Sequence, residues 1–453
     1  GLCHFYQWRG RYQEGEAVCQ AAVKKLASMV SGSGLRGLAK ILTWQSRFSQ
    51  ILDRTESASQ LLQQSLALLD SPELADQDTR PEKAFILLEM GHRAVDSDNE
   101  KARQLAEQSL ALYRELDDHW GTADALDVLT EIAWTLGTYD EARQLAEEGF
   151  ALRQTLGDQR GIARSLRSLG DVANFHMGQL EEGETLITQA LAIRQEIGDR
   201  AGMANDLHEL ATNLAYRGKF AESLAMYEKS VALRADLGLG GGYASIVINN
   251  VKVFLGWYEQ AGDDARTRLD VAREIEHQQE IGLSLFVLGN VALAGEAYAE
   301  AQDFLQESVA VYREMGHRMR LGMALASLGY AARRLGRFSQ ARQHLSESLR
   351  TAVELGAFVP LMFALPAIAL LLTDRGEQER AVELYALATR YGFVANSCWF
   401  EDVAGKHIAT VAATLSPEVV AAVQERGKAR DLWETAAELL AKLEPKHNSG
   451  SSE

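Results

Sequence analysis

The stretch TLGTYDEARQLAEEGFALRQTLGDQRG, residues 135–161, decides the fold. Its centre places Ala142, Leu145, Ala146, Gly149 and Phe150 at i, i+3, i+4, i+7 and i+8, one apolar face of a helix. Gly137 ends the helical pattern before it, at a position where left-handed backbone costs a glycine little. Tyr139 fills the space beside the helix crossing, and Ala142 lets the two helices approach. A further glycine, Gly161, is read as closing the return turn. The stretch is a joint between two antiparallel helices.

The joint recurs along the chain. Its small residue appears as Gly15, Ala58, Ala102, Ala142, Gly183, Ser223, Ala261, Ala301, Ala341 and Ala381, at steps of 38–44 residues. A glycine five residues earlier and an aromatic three earlier accompany most copies, as in Gly218 with Phe220 and Gly336 with Phe338. A second glycine set, Gly121, Gly161, Gly202, Gly242, Gly282 and Gly322, keeps the same period. Before each joint lies another helical pattern, such as Leu166, Leu169, Val172 and Ala173. Two registered sets make an array of helix pairs, whose core grows along one axis.

Composition agrees with an all-α chain. Of 453 residues, 47% are hydrophobic and 24% charged, only 6 are proline, and strong helix formers dominate. A formal net charge of −17 argues against broad contact with nucleic acid, whose phosphates it repels. Cys3, Cys19 and Cys398 form no C-x-x-C pair and suit a reducing, cytoplasmic setting. No signal peptide is visible. The apolar run FVPLMFALPAIALLLT, residues 358–373, is too short for a bilayer and carries Pro360 and Pro366, so a buried helix is expected.

The glycine, aromatic and alanine grammar of SLGYAARRLGRFSQARQHLSESL (327–349) resembles the tetratricopeptide repeat (TPR) family, in a variant with repeats of about 40 residues. The resemblance covers roughly residues 1–392 and implies a right-handed α-solenoid of antiparallel helix pairs. Copies 2 and 3 depart most, with Asp53 and Ser97 at the glycine position. The expected organisation is two copies over 1–69 (the first incomplete), a longer linker over 70–83, eight copies over 84–392, capping helices over 393–443 and a flexible tail over 444–453. Ser416 and Pro417 read as an N-cap and first helical residue. The segment QERGKARDLWETAAELL (424–440) resembles the closing part of bacterial STAND-type ATPases and LuxR-like regulators, relatives of NOD-like receptors. That likeness implies a sensor arm whose signal passes to an N-terminal ATPase module. The chain starting at Gly1 suits a piece of such a longer protein.

No phosphate loop, HExxH, GxSxG or paired CxxC motif occurs, and no cofactor or metal is expected. GSGLRG (32–37) matches GxGxxG, but a helical run precedes it, so it reads as an inter-repeat turn. The histidines are dispersed, and Glu147, Glu148, Glu181 and Glu182 fall on outward faces. No catalytic residue is assigned, and the chain reads as non-enzymatic.

In the TPR family the first helix of each pair lines the concave face, which implies the candidate contacts here. Copies 4–6 present polar groups there: Asp124, Asp127, Glu131 and Trp134, then Arg164, Arg167 and Asp171, then Asn205, His208, Thr212 and Tyr216. Mutual neutralisation is the expectation for Arg164 and Arg167 beside Asp124 and Asp127. Copies 7–10 present Tyr243, Ile246, Asn250, Phe254, Leu283, Phe286, Asn290, Leu293, Met323, Tyr330, Arg333, Phe363 and Leu370. Apolar residues repeated on such a face mark a groove for a peptide or protein, with Asn250 and Asn290 suited to a peptide backbone. Core packing among the helices is the alternative. GLGGG (238–242) is a hinge or a tight turn. A ligand-free scaffold, or the regulatory arm of an enzyme, are the rival functions.

Overall fold

The computed structural model describes residues 1–26, 32–52, 54–95, 98–175, 179–239 and 242–443. Among them the regular elements are all helical and run as the repeat predicts. They are α1 (Leu2–Trp8) and α2 (Tyr12–Leu26), α3 (Gly32–Ile51) and α4 (Thr55–Leu69), α5 (Arg80–Ala94) and α6 (Asn99–Glu115), then α7 (His119–Leu136) and α8 (Tyr139–Leu156). Next come α9 (Gln159–Phe175) and α10 (Leu180–Ile197), α11 (Arg200–Tyr216) and α12 (Phe220–Asp236), and α13 (Gly242–Phe254) and α14 (Tyr258–Glu274). The last pairs are α15 (Gln278–Ala294) and α16 (Tyr298–Glu314), α17 (Arg318–Arg334) and α18 (Phe338–Leu355), and α19 (Phe358–Asp374) and α20 (Gln378–Thr389). Odd-numbered helices are the first of each pair.

The chain divides into two compact units. Unit 1 comprises Gly1–Val172, Thr185–Glu209 and Lys229–Gly241; unit 2 comprises Ala173–Glu184, Leu210–Glu228 and Gly242–Glu453. In unit 1, α3 packs on α5 and α5 on α7; in unit 2, α13 packs on α15, α15 on α17 and α17 on α19. Second helices reach each other through long exposed ion pairs instead: Arg114–Glu148 in unit 1, and Arg273–Glu307 and Arg313–Glu347 in unit 2. First helices therefore form the inner layer of each unit.

The joint works as read from its residues. Gly137 ends α7 in left-handed backbone at φ +78°, and Ala142 is fully buried at the crossing. A serine seven residues after the small position adds a bond back to the first helix. Ser109 donates to the Ala84 carbonyl, Ser308 to Gly282 and Ser348 to Gly322, at 2.7–2.9 Å.

The second glycine set has a different role from the one expected. Gly121, Gly161, Gly282 and their equivalents lie within the first five residues of the following helix, and the return turn is made by Gly157 (φ +67°) and its counterparts. Those helical glycines make room for a large side chain of a neighbouring helix: a Cβ at Gly121 would run into the Tyr113 ring of the preceding helix, and one at Gly282 would stand 2.9 Å from the Tyr312 ring of the following one. Arg153 and Arg194 occupy the corresponding space over Gly161 and Gly202.

GSGLRG is likewise not a turn, since Gly32 opens α3. The 70–83 linker contains a short 3-10 turn, Pro72–Leu74, and its last residues already belong to α5. α19 is the expected buried apolar helix, and no helix among the described residues is long and apolar enough to cross a membrane. Asp53, Ser97, Gly178, the middle of GLGGG and the 444–453 tail lie outside the described residues.

After α20 the chain forms α21 (Gly392–Ala395), α22 (Cys398–Phe400), a wide π turn (Glu401–Gly405), α23 (Lys406–Ala412), α24 (Pro417–Ala429) and α25 (Leu432–Leu443). Ser416 caps α24 by accepting from the Val419 N–H. α24 packs on α20 and α25 on α18, which caps the array in unit 2.

Candidate functional site

The inner face of unit 1 is a field of charges. Arg153, 2% exposed, reaches from α8 to Asp124 (3.2 Å) and Asp127 on α7 and to Asp158 (3.1 Å) in the return turn. Arg164 on α9 joins the same carboxylates, at 3.3 Å from Asp124 and 2.8 Å from Asp127. The expected neutralisation is seen for Arg164. Arg167 turns elsewhere, to Asp171 (3.4 Å), Asp206 (3.8 Å) and Glu209 (3.9 Å). Arg194 on α10 holds Asp199 and Asp206 at 2.7 Å each, and Arg160 adds a 2.8 Å bridge to Asp199.

Carboxylates outnumber guanidiniums here, and their protonation reflects it. Burial pushes Asp171 well above the carboxylate range, Glu209 adds like-charge repulsion, and Arg167 only partly offsets both. Burial lifts Asp206 to about 7 against Arg194 and Arg167, and neither of its oxygens receives a well-aligned hydrogen bond. Asp127 is also raised by burial. Asp124 ends below its usual value, because Arg164 and Arg153 outweigh the desolvation that would raise it.

The face is nonetheless wet: Asp124 and Arg164 are 37% and 36% exposed, and Glu131, 3.5 Å from His92, is 51% exposed. Among the other polar candidates, Asn205 is exposed, Trp134 half-buried, and His208 half-buried beside Glu209 at 4.0 Å. Asp206, Glu209, Arg153 and Arg194 were not selected from the sequence. The two arginines carried a signal, a charge at the repeat position where Tyr113 and Tyr312 stand in other copies. Tyr216 and Thr212 belong to unit 2, where Thr212 bonds Tyr227 at 2.7 Å.

The inner face of unit 2 is filled by its own chain, which corrects the apolar-groove expectation. Ile246, Phe254, Leu283, Phe286, Asn290, Leu293, Tyr330, Arg333, Phe363 and Leu370 are all buried. Asn250 and Met323 are half-buried, and the Tyr243 side chain lies outside the description. The segment from Gly392 to Gly405 supplies the cover. Phe393 packs on Phe254 at 5.0 Å and on Tyr216 at 5.8 Å; Trp399 packs on Tyr330 at 5.7 Å and Phe363 at 5.6 Å; Phe400 meets Phe363 at 5.3 Å.

Polar contacts fix the register of this plug. Trp399 Nε1 donates to the Asn290 carbonyl at 2.8 Å, and Tyr258 Oη donates to Asp402 at 2.5 Å. Arg333 is spent on Asp374, at 2.6 Å. These ring contacts fill the inner face at Phe254, Tyr330 and Phe363. Among the described residues, no grouping of His, Cys, Asp and Glu could hold a metal ion.

Tetratricopeptide repeat models match residues 122–159 and 158–236, the charged part of the array. No curated protein sequence matches the chain significantly. A Rap protein complexed with competence and sporulation factor superposes with a TM-score of 0.62 at 12% identity, over 78% of this chain and 96% of that one. A Rap conjugation gene regulator in complex with the Phr peptide gives 0.51 at 11% identity, over 75% and 96%. A STAND protein with a TPR sensor from Pyrococcus horikoshii aligns at 0.44 and 15% identity, over 83% and 65%, too loosely to carry an argument. The chain is an all-α, TPR-like solenoid of stacked antiparallel helix pairs, and its residues 122–236 match tetratricopeptide repeat models.

Proposed function

We propose that the inner face of unit 1 binds a peptide or protein segment carrying an arginine or lysine side chain, and that the chain itself is non-catalytic. The observation that carries this reading is the excess of carboxylates around Asp171, Asp206 and Glu209, two of them with raised pKa, on the same face as Asp124 and Glu131, which reach water. A guanidinium placed there relieves like-charge repulsion and gains charge-assisted hydrogen bonds. Support also comes from fold relatives of the Rap group, whose structures hold competence and sporulation factor or the Phr peptide. In the wider reading, the array is the cytoplasmic sensing part of a larger regulator, passing ligand occupancy to an N-terminal ATPase module. The resemblance of residues 424–440 to the closing part of such regulators supports that step, and the reading frame upstream of Gly1 tests it.

The binding proposal is tested with an immobilised hexapeptide library in which one position is Arg, Lys, Ala or Glu. The expected result is retention of Arg and Lys members by the wild-type chain and its loss in Asp171→Asn/Glu209→Gln. Equal retention of Glu members, or unchanged retention in the double variant, overturns the assignment. Because deprotonated Asp171 and Asp206 bind a cation better, retention should rise as pH increases from 5 to 8.

A further inference from the structure

The sequence gives Cys3 and Cys19 no recognisable pairing, yet the fold brings their sulfurs to 3.9 Å across the α1–α2 hairpin. Cys19 is fully buried and Cys3 half-buried, so Cys3 is the more accessible of the two. α1 is lightly held, with no buried residue of its own. Its contacts lead toward the charged face of unit 1. His4 meets Trp44 edge-on at 4.6 Å, and Arg47 lies 5.0 Å over the same indole while pairing with Glu89. At the other end Arg160 donates to the Trp8 carbonyl at 3.1 Å and lies over the Trp8 ring, while also bridging to Asp199.

We propose that Cys3 and Cys19 are a thiol–disulfide couple that, when oxidised, fastens α1 to α2 beside the inner face of unit 1. A disulfide needs its sulfurs at about 2.05 Å, so each side chain turns inward from its present position. The oxidant is a small-molecule disulfide such as oxidised glutathione. The Cys3 thiolate attacks one of its sulfurs, forming a mixed disulfide and releasing one glutathione thiolate. The Cys19 sulfur then loses its proton, attacks the Cys3 sulfur and expels the second glutathione.

Two protein thiols and one glutathione disulfide thus become one protein disulfide and two glutathione thiols. Two electrons and two protons pass to glutathione. The hydrogen bond from Cys19 lowers the Cys3 thiol to about 7, which favours Cys3 as the attacking sulfur. The same contact raises Cys19, and that restraint ends once Cys3 is capped.

The test incubates the full chain with reduced and oxidised glutathione at graded ratios, traps free thiols and maps tryptic fragments by mass. The expected product links the fragment of residues 1–9 to that of 12–24, lighter than their sum by two hydrogens. Cys19→Ser should stop at the glutathione adduct on Cys3, and Cys3→Ser should leave Cys19 unmodified. Exposed Cys398 serves as the internal reference thiol. In the oxidised chain, amide exchange over residues 2–8 should slow relative to the reduced chain. A wild-type chain that stops at the Cys3 adduct overturns the couple, and unchanged exchange over 2–8 in a cross-linked chain overturns the fastening.

Discussion

At one register of the repeat, α7 in unit 1 carries Asp124, Asp127 and Glu131, while α15 in unit 2 carries Leu283, Phe286 and Asn290. Backbone and layer are the same; the fate of the face differs. In unit 1 the inner helices keep their charges, some buried like Asp206 and some reaching water like Asp124 and Glu131, bridged by arginines of both layers. In unit 2 the inner helices are closed by an aromatic plug from the chain's own C-terminal part. An apolar stripe on an inner face therefore marks a groove only when nothing later in the sequence returns to fill it. On the charged stripe, carboxylates outnumber the arginines that bridge them among the described residues.

Removing the plug's anchor gives the largest expected effect. Trp399 is fully buried, so Trp399→Ala should cost about 3–5 kcal/mol in denaturant unfolding. A loss below about 1 kcal/mol, the range of surface changes, would make the plug a peripheral cover and reopen unit 2 as a groove.

Asp206 sharpens the other side of the comparison. Its folded pKa of about 7 lies above its unfolded value near 3.9, so the folded state holds the proton longer. Its contribution is fully present below pH 4 and is lost as pH rises through 7. Asp206→Asn should flatten the fall in melting temperature between those limits. An unchanged slope would mean that Arg194 and Arg167 keep Asp206 ionised throughout.

Smaller effects are expected away from both faces. Ser416→Ala removes the cap of α24 and should cost about 1 kcal/mol. Deleting the exposed pair by Arg313→Ala and Glu347→Ala should change stability by less than about 1 kcal/mol. A double-mutant cycle reads that pair, and a coupling well above this range would place the outer layer among the main supports of unit 2.

The helix pairs were legible because each repeat writes the same local chemistry: a left-handed glycine, an aromatic and a small residue at fixed spacing. The polar inner positions of α7 and α9 were legible for the same reason. Asp206 was missed by one residue, since it stands at the buried repeat position of Ala125 and Ser165, where a carboxylate is not expected. The plug was not legible. Phe393, Trp399 and Phe400 lie in a segment without period, and where it folds depends on tertiary complementarity with Phe254, Tyr330 and Phe363. The glycines at 121, 161, 202, 282 and 322 were read as turn residues because their spacing does not reveal that Tyr113, Arg153, Arg194 and Tyr312 reach over four of them, and Pro360 lies closest to Gly322.

The most direct measurement is photo-cross-linking. An arginine-containing hexapeptide with a photoreactive group is irradiated with the full chain, and the adducts are mapped by mass spectrometry. Adducts on α7, α9 and the first half of α11, competed by unlabelled peptide, are the predicted result. Adducts concentrated on α13, α15, α17 and α19 would contradict it, because they require a ligand on the face that Trp399 and Phe400 occupy.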